Sequence, residues 1–268
     1  FLVFLIQPLM GKVLLPYLGS APQIWSVAMF SYQAFLLLGY LYGHFLNKKF
    51  NITKQIKIHL AVLFVSALFL PLSFFASNLE SAIHNPEIWL IKSLSQNIAL
   101  FFILLSANTL IIQNLIANSK YRISENPYIL YAASNIGSLG ALLLYHFAIE
   151  PNFTILGTMK IWSYLYGLFI ISFAVTSYDF FKSRITNLVE KNIASIKKIS
   201  SQQKFKWVLL AFLPSALMLS VTQFITNDLS PLPFLWIITL AIYLLTFILA
   251  FKNPNKFYEI ASPAQIKA

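Results

Sequence analysis

DFFKSRITNLVEKNIASIKKISSQQKFK, residues 179–206, is the one long stretch that reads neither as an apolar run nor as a short turn. It carries Lys182, Arg184, Lys191, Lys197, Lys198, Lys204 and Lys206 against only Asp179 and Glu190. Apolar segments separated by polar connections flank it, six before and two after. Lys and Arg resist translocation, so a long basic connection between two sets of apolar segments belongs on the cytoplasmic side of a membrane. The pattern predicts a two-half membrane protein joined at its centre, with a second half that is cut short.

Composition agrees. Of 268 residues, 58% are hydrophobic and 10% charged, where a soluble domain carries about 25% charged residues. The charges fall between apolar runs long enough to be transmembrane helices. A net charge of +11 is a common footprint of nucleic-acid binding. Here the cations lie in connections expected to face the cytoplasm, where they set topology and meet anionic lipid; no nucleic-acid partner is expected. There is no cysteine, which excludes disulfides, thiolate catalysis and thiolate-bound zinc in this chain. The opening Phe1-Leu2-Val3-Phe4 lies inside an apolar run without a basic n-region, as a truncated start would, not a signal peptide.

Eight spans are expected, at about residues 1–15, 24–46, 58–76, 94–117, 128–149, 159–178, 207–225 and 234–251. This divides the chain into a first six-span half (1–178), a basic cytoplasmic connection (179–206), the first two spans of a second half (207–251) and a cytoplasmic tail (252–268). The connections after the second, fourth, sixth and eighth spans hold 4, 2, 7 and 3 cations, 16 of the 19, leaving Lys12, Lys92 and Lys160 on the other side. Both ends are therefore expected in the cytoplasm. Small residues at spacing four, Gly39 and Gly43 in the second span and Ala133, Gly137 and Ala141 in the fifth, mark faces where helices pack closely. A weak internal repeat sets Gln7 and Pro22-Gln23-Ile24-Trp25 beside Gln223 and Pro233-Phe234-Leu235-Trp236, as in the parallel halves of major-facilitator transporters.

Lys12, Glu150 and Asp228 are the charges nearest to hydrocarbon. Ionisable groups at membrane depth face a bundle interior or cavity and are functional candidates, unless they sit solvated among headgroups. Lys12 could be neutralised by Asp228 or by Glu150. The amides Gln7, Asn97, Asn108, Gln113, Asn114, Asn135 and Gln223 are a second group, suited to interhelical hydrogen bonds or to a polar pathway. His44, His59, His84 and His146 show no paired ligand spacing, so no metal site is expected. Gly137-Ser138-Leu139-Gly140 is not a nucleophile elbow, and no Gly-rich phosphate loop follows a strand. No catalytic residue and no cofactor are expected.

Three stretches resemble a known family: Gln7-Pro8-Leu9-Met10-Gly11-Lys12 through Pro22-Gln23-Ile24-Trp25; Asn126-Pro127-Tyr128 through Ser134-Asn135-Ile136-Gly137-Ser138 and Glu150-Pro151; and Phe212-Leu213-Pro214-Ser215 through Thr226-Asn227-Asp228 and Pro233-Phe234-Leu235-Trp236. They resemble the membrane part of bacterial proteins that fuse a major-facilitator-like bundle to a spermidine-synthase-like domain. The resemblance implies an all-α bundle in the inner (plasma) membrane, anchoring or serving a fused or neighbouring polyamine-synthase-like domain absent from this chain. It departs from the family at Gln223-Phe224, where the family often has an Asn-His pair, and from the major-facilitator pattern at Gly43 to Lys49, which lacks the loop signature with Asp and Arg. The alternative is a major-facilitator-like transporter of a small polar or cationic solute, for which Lys12, Asp228, Glu150, Gln7, Gln223 and Asn135 are the candidate residues.

Overall fold

Helix limits in this chain follow local chemistry more closely than they follow hydropathy. The computed structural model describes residues 1–19, 21–76, 79–117, 128–185, 200–228 and 233–252. Its helices are α1 Leu2–Leu18, α2 Pro22–Lys49, α3 Ile52–Ala67, α4 Leu79–His84, α5 Pro86–Asn97, α6 Ala99–Ala117, α7 Tyr128–Leu144, α8 Glu150–Asn152, α9 Ile155–Ile185, α10 Ser201–Asp228 and α11 Pro233–Lys252. A π-helical turn, Tyr145–Ile149, joins α7 to α8. Among the described residues there is no strand. Among the same residues five stretches are long and apolar enough to cross a membrane: Pro22–Lys49, Ala99–Ala117, Leu130–Asn152, Ile155–Phe181 and Ser201–Ile225. The described residues are thus helical throughout their regular structure, compatible with a multi-pass helical membrane protein.

Pro22 opens α2, where its fixed φ suits the first turn and its missing N–H costs nothing. Lys48 and Lys49 close it, favourably placed at the negative end of the helix dipole. Asn51 caps α3 by accepting the Lys54 N–H at 3.0 Å. Inside α1, Pro8, Gly11 and Pro16 do not break the helix, which runs past the expected end of the first span at about residue 15.

Several expected limits are corrected. The third span was placed at 58–76, but α3 ends at Ala67, four residues before Pro71; proline disfavours helical backbone in the residue before it. The fourth span is two helices. α5 ends at Asn97, whose side chain accepts the Phe75 N–H at 2.8 Å and donates to the Phe75 carbonyl at 3.1 Å and, within α5, to the Ser93 carbonyl at 2.8 Å. The connection expected at 77–91 holds α4 and the first half of α5. The connection expected at 179–206 is shortened from both sides, by α9 to Ile185 and by α10 from Ser201. Lys, Arg and Gln are good helix formers, so the change in composition marks where hydrocarbon ends, not where the helix does. Residues 186–199 and 253–268 lie outside the described residues.

The core forms where α2 lies along α6, α1 packs on α7 and α9, and α3 sits against α6 and α9. Trp162 and Tyr166 of α9 stack at 5.2 Å, and Phe101 of α6 meets both edge-on. The Trp162 indole N–H donates to the Leu2 carbonyl at 3.1 Å, fastening α9 to α1. A 2.6 Å hydrogen bond between Ser66 and Tyr166 fastens α3 to α9. At Gly39 the α2 and α6 backbones come so close that a Cβ would collide with Ser106 and lie 2.5 Å from the Ile103 carbonyl oxygen. The small face of α7 is looser: a Cβ at Gly137 would reach Phe1 only at 3.8 Å. Beyond this core α11 lies along α7, while α10 is exposed along nearly all of its described length.

Candidate functional site: an amide-lined cavity and an ion-paired cluster

A cavity of about 650 Å³ lies between α1, α2 and α10. Its polar groups are Gln7 from α1, Ser26 and Gln33 from α2, and Ser220, Thr222 and Gln223 from α10. Trp25, Phe30, Tyr32 and Phe224 supply aromatic wall. Helical spacing puts Ser26, Phe30 and Gln33 on one face of α2, and Leu219, Ser220 and Gln223 on one face of α10. Ser26 Oγ and Gln223 Oε1 are 2.7 Å apart, so a hydrogen bond joins α2 to α10 across the cavity. Tyr32 donates to the Gln7 backbone carbonyl at 3.3 Å, leaving the Gln7 amide to the cavity.

Depth makes Gln33 unusual. At about 1.5 Å per residue, Gln33 lies about 13 Å below Ile24, near the middle of a hydrocarbon layer about 30 Å thick. It is exposed on the bundle surface. An amide facing hydrocarbon without a partner costs several kcal/mol, so this surface calls for an occupant that hydrogen-bonds.

The second constellation is ionic. Lys12 Nζ lies 3.4 Å from Glu150 Oε1, and His146 Nδ1 lies 3.3 Å from Glu150 Oε2. The three side chains are each about one-third exposed. The π-helical turn carries His146 one helical step before Glu150, and α1 brings Lys12 to the same carboxylate. Glu150 thereby links α1 to the end of the α7 segment, with a charge-assisted contact on each oxygen. This is one of the two partnerships that the sequence left open for Lys12. Asp228 ends α10, and its side chain lies outside the described residues.

Of the sequence candidates, Gln7 and Gln223 come together at the cavity, and Lys12 and Glu150 come together at the ionic cluster. Asn135 sits half-buried on α7, outside the cavity lining. Asn97 holds the end of α5, and Asn114 donates to Gln55 Oε1 at 3.0 Å and to Asn47 Oδ1 at 3.3 Å in a packing network. Sequence reasoning missed Ser26, Gln33, Ser220 and Thr222 at the cavity and His146 at Glu150. Gln33 had a signal, as the sole amide of the second span. His146 had one in its i,i+4 spacing to Glu150.

A scan against models of protein families finds no match for this chain, and searches of curated proteins and of solved structures find none either. The family resemblance therefore rests on the three quoted stretches alone.

Proposed function

We propose that this chain is a membrane module that binds a small organic solute in the cavity between α1, α2 and α10 and carries it across the bilayer. The observation that carries this reading is Gln33, an exposed amide at mid-bilayer depth on the wall of a cavity into which Gln7 also faces. Polar groups at such depth face a pathway or a bound solute, and about 650 Å³ is within the range of small-molecule sites, roughly 300–1,000 Å³. An anchor that only localises an enzyme needs a packed bundle and no such cavity. The finer layout belongs to the same proposal: eight spans in major-facilitator-like order in the plasma membrane, both ends cytoplasmic. The cation count and the correspondence of α1, α2, α3, α6, α7, α9, α10 and α11 to the eight apolar segments support it.

The quoted stretches favour a second reading, in which the bundle anchors or serves a polyamine-synthase-like domain. Solvent mapping separates the two. The chain lacks cysteine, so Gln33→Cys and Ser220→Cys in proteoliposomes report cleanly on a water-soluble methanethiosulfonate. Both should react, while Ile171→Cys, on the exposed apolar flank of α9, should not. Inert cysteines at both cavity positions would leave a dry bundle and the anchor reading.

A further inference from the structure

The polar groups of the cavity also define which solutes fit it. Resting on the reading that this cavity is a solute site, we propose that it takes an uncharged organic molecule with an apolar body and a hydroxyl, carbonyl or amide head, not a polyamine or another ion.

Three observations carry the assignment. First, no described residue of the lining bears a charge. Lys12, also on α1, is paired with Glu150. An ion brought to the depth of Gln33 would meet no counter-charge among the described lining residues, and an unpaired charge at that depth is costly. Second, two of the four lining aromatic rings, Tyr32 and Trp25, are engaged elsewhere and offer little free face to an ammonium group. Tyr32 stacks on Phe102 at 5.8 Å with its plane nearly parallel, which occupies one face. A Cβ on Gly11 of α1 would lie 3.1 Å from the Trp25 ring, so that ring packs on α1. Cation–π recognition needs ring faces turned to the ligand. Third, the side-chain amides of Gln7 and Gln33 have no hydrogen-bond partner among the described residues, although both line the cavity. Each primary amide offers two N–H donors and a carbonyl acceptor. Together they complement a neutral head group that both donates and accepts, while Met29, Phe30, Leu219 and Phe224 take the apolar body.

A matched probe series tests this. 2-Phenylethanol, 2-phenylethylammonium and phenylacetate share one aromatic body and differ in head charge. Each is added in proteoliposomes while Ser220→Cys is labelled by the water-soluble methanethiosulfonate, with Glu87→Cys, on exposed α5, as the control for membrane partition. At about three times its dissociation constant, 2-phenylethanol should slow labelling at Ser220→Cys about fourfold and leave the control unchanged. The two ions should slow neither at equal concentration. Adding Gln33→Leu to Ser220→Cys should abolish the protection, read as the ratio of labelling rates with and without probe in that same double variant. Equal or better protection by the ammonium probe would overturn the assignment and restore a cation site. Protection by none of the three, or protection that survives Gln33→Leu, would overturn it as well. Failure of Ser220→Cys to react without any probe is a different result: it removes the cavity reading on which the assignment rests.

Discussion

Glu150 is the residue on which the ionic cluster turns, since it accepts contacts from Lys12 on one oxygen and His146 on the other. Its side chain is one-third exposed, so solvent screens the pair and its worth is modest. A double-mutant cycle of Lys12→Met and Glu150→Gln, read as melting temperatures in detergent, should give a coupling of about 0.5–1 kcal/mol. A coupling near zero would return Lys12 to the headgroup rim. A coupling found with Asp228→Asn instead would move the partnership to α10 and join the two proposed halves. Asn97 is a residue of another kind, because it is buried and satisfies backbone. Asn97→Ala leaves the Phe75 N–H and carbonyl without that partner, and should cost about 2–3 kcal/mol of stability. If its melting temperature matches the parent chain, water or a rearranged segment replaces the amide.

At the scale of elements, the close approach in this bundle is α2 on α6. Gly39→Ala inserts a methyl against Ser106 and the Ile103 carbonyl, and backbone cannot step aside cheaply. It should destabilise by about 1–3 kcal/mol. Gly137→Ala meets only ordinary contact distances and should change stability by less than about 1 kcal/mol, in the stabilising direction through helix propensity. Thermal unfolding of the two variants side by side decides it: equal losses would mean that α7 is packed as tightly as α2. Both glycine faces were visible in the sequence as small residues four apart. Which one met a neighbour at close range was not, because spacing fixes the side of a helix that is small but not how near another helix comes. The broken fourth span was hidden for a related reason. Asn97 sits in an apolar stretch, and its bonds to the Phe75 backbone form only when that segment folds back on α5.

At the scale of the whole molecule, the distribution of cations makes a topological prediction that the fold leaves open. Asn187→Cys, in the connection outside the described residues, should be labelled only from the cytoplasmic face. Asn152→Cys, exposed at the end of α8, should be labelled only from the opposite face. Labelling of both from one side would break the eight-span alternation and with it the proposal that both ends are cytoplasmic. The same arrangement would put the Pro22 end of α2, and so the upper rim of the cavity, on the non-cytoplasmic side.

The sequence by itself determined the class of this protein, because hydrocarbon admits few solutions: apolar runs long enough to span, with cations between them, can only be helices in a membrane. It also determined which side chains were costly at depth, so Gln7, Gln223, Lys12 and Glu150 could be named before any contact was seen. What it did not determine was who meets whom. Lys12 had two acidic candidates, and the fold brings it to Glu150. Gln7 and Gln223 are far apart in the chain, and the folded bundle brings them to one cavity, with Ser26 bonded to Gln223 and Gln33 unannounced between them. Pairings of this kind depend on helix rotation and on the distance between neighbouring axes. Those are set by the packing of whole helices, which residue type and spacing along a single helix do not fix.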